Sequence, residues 1–413
     1  GKSSTVHLVS VENRFEGGEF NYQKAGKDDL IGLVSLKSWR FACEDEQKSF
    51  KRLLENLNST EPVDQRGALR LSVDRLHPAA RLLDQGYVLL PHYFRQGDKT
   101  ASWYRGPLIP GEDPTEISLP VRAADELLRY DPELGMFDVS YAAAWELGRL
   151  LALQNKQFST GLFRWKRAHV QQLAQTEQRL LHPHLSDHGK SVVAGAMPEE
   201  LSDWLEGLSL LRGVPFNYLV PDEGMLPPES IRFFQVDGLW LECLLDGAFS
   251  IGRVTANDHE NDQALSDRGA AAKPFETVTG ILLRSEVVRG WPGLLVDAYY
   301  KVGNDPLTPL RMERLSADVL ICLFEGPNDR VEVHQKPETL HFGVDKPDHP
   351  NQDFYKKMRD SEGTESNKPT PILWRSGPVL RVIKIKELAG KSNSAQFALQ
   401  MIEGVEKVVF CSG

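Results

Sequence analysis

The densest group of metal-ligating residue types is the run His182-Pro183-His184-Leu185-Ser186-Asp187-His188. Zinc takes three or four N, O or S donors that converge on one point. A loop can turn imidazoles at alternate positions to a common side. His182, His184 and His188, with Asp187 beside them, therefore form the candidate metal-binding set. The spacing is neither the HExxH of zinc proteases nor a paired CxxC. A polar, histidine-containing loop after a helix is the plainer alternative.

A second candidate lies nearer the C-terminus. His334 and His341 flank an expected hairpin, and Glu332 falls on the same strand face as His334. A His–carboxylate pair can do general acid–base chemistry. A hydrogen-bonded sheet histidine is the alternative. His169 sits on an apolar helix stripe and is read as a buried, hydrogen-bonded residue. His92 lies near Trp103, Tyr104 and Arg105, residue types that line binding grooves and equally the edge of a strand-rich core.

The diagnostic loops fail residue by residue. Asp258-His259-Glu260-Asn261-Asp262 begins like a calcium loop, but Gln263 and Gly269 stand where Gly and Glu are required. Gly189-Lys190-Ser191 and Gly390-Lys391-Ser392 lack the upstream glycine of a phosphate-binding loop; His184 and Ile385 occupy those places. Neither GxGxxG nor GxSxG occurs. No cofactor is predicted.

Other segments are distinctive without carrying chemistry. They include Met225-Leu226-Pro227-Pro228-Glu229-Ser230-Ile231-Arg232-Phe233-Phe234 and Val288-Arg289-Gly290-Trp291-Pro292-Gly293-Leu294. Leu310-Arg311-Met312-Glu313-Arg314-Leu315 and Ser394-Ala395-Gln396-Phe397-Ala398-Leu399-Gln400-Met401 belong with them. These segments are similar to parts of a family of long, uncharacterised microbial proteins. The resemblance covers most of the chain and implies no activity, so it assigns no residue a role.

Composition narrows the partners. The 413 residues carry a net charge of −10 with acids and bases interspersed, which argues against a nucleic-acid footprint. No stretch approaches the roughly 18–20 apolar residues of a membrane span. Cys43, Cys243, Cys322 and Cys411 are scattered, and three sit in apolar stretches. That pattern predicts reduced, buried thiols and a cytoplasmic protein. The chain opens on Gly1 without the apolar core of a signal peptide, and reads as a mature chain or a piece of a longer one.

These readings favour a non-catalytic interaction or scaffold module of a larger protein or assembly, with a protein partner or self-assembly. Trp, Tyr and Arg in strand and turn segments support it, being the types enriched at interface anchors. The alternative is an enzyme, a hydrolase or transferase with or without a metal, whose His/carboxylate site leaves no linear motif.

Whatever the site, three regions must position it. Residues 1–120 are predicted strand-rich, 121–251 helical and 252–413 strand-rich again, giving an α+β fold with mostly antiparallel sheet. Polar stretches near 252–274 and 345–371 read as long loops. Residues 34–41 alternate apolar and polar with one slip at Ser38, the mark of a strand with a bulge. Residues 140–154 are apolar around most of their girth, as a buried helix must be.

Overall fold

A computed structural model of the chain describes residues 3–10, 14–16, 19–22, 24–42, 48–59, 67–71, 79–111, 116–181, 196–267, 277–300, 306–335, 355–359, 365–376, 381–390, 393, 396–397 and 407–411. The fold is α+β with mostly antiparallel pairing. Two compact units arise, Gly1–Asn56 and Leu57–Gly413.

The first unit holds strands β1 (Ser3–Ser10), β2 (Phe15–Glu16), β3 (Glu19–Phe20) and β4 (Val34–Ala42), then helix α1 (Phe50–Glu55). The second opens with β5 (Gly67–Ala68), α2 (Ala80–Asp84), β6 (Val88–Tyr93), β7 (Lys99–Tyr104), β8 (Leu108–Ile109), β9 (Arg129–Asp131) and β10 (Met136–Asp138). Helices α3 (Ser140–Gln154), α4 (Lys156–Leu181), α5 (Glu199–Ser209) and α6 (Phe216–Leu219) follow. Next come β11 (Ser230–Val236), α7 (Gly238–Phe249), α8 (Ala256–Asp267), β12 (Val278–Arg284) and α9 (Glu286–Gly290). Strands β13 (Leu295–Tyr299), β14 (Pro309–Arg314), β15 (Val319–Glu325), β16 (Arg330–His334), β17 (Tyr355–Arg359) and β18 (Glu365–Pro371) lead to β19 (Trp374–Ser376) and β20 (Arg381–Ile383). Helix α10 (Ile385–Ala389) and β21 (Lys407–Cys411) end the series.

A six-stranded sheet is the centre of the second unit, ordered β14-β15-β12-β11-β5 with β8 also on β11. It draws strands from all three regions distinguished in the sequence. β12 and β15 are continuous apolar runs, as strands covered on both faces must be. Leu282 and Ile321, paired across them, are fully buried on one face; Ile281 and Cys322 are fully buried on the other. The first face shares a core with Tyr141, Trp145 and Leu147 of α3, Leu162 of α4 and Trp240, Leu244 and Ala248 of α7. The β13-β16-β21 sheet alternates instead: Val296, Ala298, Val331 and Val333 are buried, while Asp297, Glu332 and His334 point the opposite way.

Two expected loops are regular structure. Helix α8 fills most of the Asn/Asp-rich stretch near 252–274. Thr255 and Asp258 cap it reciprocally: the Asp258 carboxylate accepts from Thr255 N at 2.8 Å, and Thr255 Oγ1 accepts from Asp258 N at 3.2 Å. Its buried anchors, Leu265 and Asp262, are too few to show as periodicity. In the 345–371 stretch, β17 and β18 pair antiparallel despite Pro369 and Pro371. A two-stranded sheet has an edge on every strand, and proline is tolerated there.

Smaller corrections follow the same logic. The irregularity in β4 falls at Leu36, skipped between the Leu8–Lys37 and Val9–Ser35 pairs, not at Ser38. Cys243 and Cys322 are buried as expected, but Cys411 is exposed because it alternates outward on β21. The expected strand at 340–344 lies outside the described residues.

Candidate functional site

The β1–β4 ribbon exposes several of its side chains to solvent. Its register runs from Ser3–Ala42 to Ser10–Val34, and among the described residues neither strand pairs with a third. Apolar side chains stand in solvent along it: Leu8 is 53% exposed, Val34 67% and Leu36 64%. The two strands contain Lys37, Arg40 and His7 and no Asp or Glu, within a chain of net charge −10. Outer edges that pair with no third strand among the described residues, exposed apolar side chains and a one-sided charge suit a further strand.

The second unit buries its charges in pairs. Arg253 forks onto Asp246, with Nη2 to Oδ1 at 2.7 Å and Nη1 to Oδ2 at 3.1 Å, and its Nε reaches Asp262 at 2.8 Å. Asp246 also accepts from Trp145 Nε1 at 2.8 Å and Val121 N at 3.2 Å. Burial alone would lower the Arg253 pKa, but Asp246 and Asp262 outweigh it and hold the guanidinium charged. Lys166 of α4 joins the group: Nζ donates to Asp262 Oδ2 at 2.8 Å and to the Phe249 carbonyl, over the Phe249 ring. Burial, with help from Arg253, pushes the Lys166 pKa down to about 8 against the pull of Asp262. Lys166 lines a cavity of about 200 Å³ together with Phe163, Val170, Gly252, Asn261 and Leu265.

A second network ties the four-stranded sheet to the helices. Arg105 Nη2 meets Asp237 Oδ2 at 2.8 Å, with Tyr141 OH donating to the same oxygen at 3.2 Å. The other Asp237 oxygen caps α7 through Leu239 N and Trp240 N. Arg129 Nη2 meets Asp138 Oδ2 at 2.5 Å, while Ser140 N and Oγ take Asp138 Oδ1. Every carboxylate oxygen here is engaged, which suits a structural anchor better than a proton carrier.

The sequence candidates divide. His182, His184, His188 and Asp187 lie outside the described residues, as does His341. Among the described residues no group of three His, Cys, Asp or Glu could hold a metal ion. His334 does meet a carboxylate, but it is Asp297 on β13, at 3.0 Å from Nε2. Glu332 instead takes Lys407 at 2.9 Å. His169 is half-buried and bonds the Trp165 carbonyl at 3.2 Å. Trp103, Tyr104 and Arg105 are core residues, and His92 bonds Ser102 Oγ at 2.6 Å. Among the described residues no helix is long and apolar enough to cross a membrane.

The sequence reading passed over Lys166, although it lies eight residues after Phe158, on the apolar stripe of α4. The Arg253–Asp246 pair carries no local signal, since six residues of helix end and turn lie between its members. Comparison with known proteins finds no matching family model, no matching curated protein and no matching solved structure.

Proposed function

We propose that the chain is a non-catalytic interaction module whose β1–β4 ribbon receives an extended, acid-rich segment of another protein as an added strand. The observation that carries this reading is the exposed ribbon itself, paired only with itself among the described residues and basic in an acidic chain. An isolated two-stranded sheet is marginal in water, so a third strand adds hydrogen bonds and covers Leu8, Val34 and Leu36. The free thiols of Cys243, Cys322 and Cys411 suit a reducing, cytoplasmic setting for that assembly.

Light scattering of the full chain and titration with an alternating Val/Glu peptide test this. The peptide should bind, weaken with salt and lose affinity on Lys37→Glu, while its Val/Lys counterpart should not bind. A strictly monomeric chain that ignores the acidic peptide, or binds it unchanged after Lys37→Glu, would overturn the reading.

A second reading, a hydrolase or transferase, draws support from the partly exposed His334–Asp297 pair. It expects ester or phosphoester turnover that disappears in His334→Ala with the fold intact. Turnover unchanged by that substitution removes His334 from the role.

A further inference from the structure

The cavity beside Lys166 differs from the other charged clusters because a buried lysine lines it alongside apolar side chains. Phe163, Val170 and Leu265 supply hydrocarbon walls. Gly252 adds bare main chain with φ +85°; a β-carbon there would stand 2.9 Å from the Phe163 ring, so the glycine keeps that wall in place. Lys166 is 7% exposed, and two of its three N–H groups go to Asp262 and the Phe249 carbonyl. Asn261, another lining residue, has a buried Nδ2 with no hydrogen-bond partner among the described residues. Asp258 and Arg167 stand at the same cavity with opposite charges, so its lining favours neither anions nor cations.

We propose that this cavity binds small apolar aldehydes and that Lys166 Nζ condenses with them to an imine. The Nζ lone pair attacks the carbonyl carbon, forming the C–N bond as the C=O electron pair moves to oxygen. Asn261 Nδ2 donates to that oxygen as charge develops on it. Asp262, already bonded to Nζ, takes one ammonium proton to free the lone pair and delivers it to the alkoxide, then carries a second from nitrogen to the hydroxyl as that departs. One water leaves as C=N forms, so the balance is ammonium plus aldehyde to protonated imine plus water. The protonated imine keeps one N–H, which Asp262 accepts. The low pKa of the amine supports the chemistry, because a deprotonated lysine is the nucleophile near neutral pH. The site is independent of the ribbon and stands or falls without it.

The test is reductive trapping on the full chain with isobutyraldehyde and cyanoborohydride, followed by peptide mass mapping. Lys166 should carry about tenfold more label than any exposed lysine near neutral pH, since an ordinary lysine is almost wholly protonated there. Its labelling rate should level off above pH about 8, where exposed lysines continue to rise. Val170→Phe, which fills the cavity without touching the amine, should remove the excess label. Lys166→Arg should abolish it while keeping a positive charge opposite Asp262. Label spread evenly over the lysines of the wild-type chain, or excess at Lys166 that survives Val170→Phe, would overturn the proposal.

Discussion

Gly247 of α7 lies directly against the main chain of Trp145 in α3: a β-carbon built on it would stand 1.8 Å from the Trp145 carbonyl oxygen. Gly148 of α3 returns the relationship, its β-carbon position lying 1.9 Å from the Leu244 carbonyl oxygen. The two helices therefore touch backbone to backbone at two points, and the contact lies within the core under the main sheet. Gly247→Ala cannot be absorbed by turning a side chain, because the clash is with main chain. We expect it to lower stability by about 3 kcal/mol or more, at the upper end of overpacking costs. Gly238→Ala is the control, since its β-carbon meets nothing and helix propensity favours Ala by up to about 1 kcal/mol. Urea unfolding of the two variants should move in opposite directions.

Elements whose signal is local were legible in the sequence. Residues 140–154 read as a buried helix and form one, and residues 34–41, read as a strand, lie in β4. Elements stabilised by distant partners were not. Helix α8 has little apolar periodicity; its Thr255–Asp258 capping box is a local signal, but the Asp262 contact to Lys166 that anchors it is a tertiary fact. The site was less legible than the fold for the same reason. The expected partner of His334 was Glu332 along the strand, whereas the carboxylate it meets is Asp297, across the β13–β16 pair. Lys166 was not among the sequence candidates because lysine is so seldom buried.

The Arg253–Asp246 fork is buried on both sides, at 2% and 9% side-chain exposure. Asp246→Ala would leave Arg253 short of a partner and strip acceptors from Trp145 Nε1 and Val121 N. Breaking one side of a buried pair costs about 3–5 kcal/mol. The double variant Asp246→Ala with Arg253→Met should lose less than the sum of the singles, because no unpaired charge remains. A thermal-melt double-mutant cycle reads this coupling, and strict additivity would mean the pair is not energetically linked.

The cysteines should differ in reactivity. Cys411 is exposed on β21, whereas Cys243 and Cys322 are buried and burial pushes both thiols well above their ordinary range. The thiolate is the reacting form, so both are protected twice, by access and by protonation. Iodoacetamide on the native chain should alkylate Cys411 and leave Cys243 and Cys322 untouched until denaturant is added. Native-state alkylation of Cys322 would contradict the burial of β15.

The ribbon should be separable from the stability of the second unit. Leu36→Gln replaces an exposed apolar side chain with an uncharged polar one inside the Gly1–Asn56 unit. Surface changes of this kind stay within about 0.5 kcal/mol. The main unfolding transition of the chain should therefore hold its midpoint, while binding of the acidic peptide falls as Leu36 ceases to offer an apolar contact. A large drop in the midpoint would show that the ribbon supports the rest of the chain.

Lys166 gives the chain a pH dependence of unusual sign. Its folded pKa, about 8, lies below the unfolded value of 10.5. Below pH about 8 the amine is charged in both states, and the folded chain bears the full cost of holding that charge out of water. Between about 8 and 10.5 the unfolded chain still binds the proton and the folded chain does not, so stability rises with pH across that window. Asp262, Asp246 and Arg253 set the size of the effect, since the carboxylates favour the charged amine and the guanidinium opposes it. Other groups titrate in the same range, so the readout is the difference between wild type and Lys166→Met. That difference in urea midpoint should move toward the wild type as pH rises through the window. A difference that stays flat from about pH 7 to pH 10 would place the folded pKa at its ordinary value and remove the support it lends to imine chemistry at this amine.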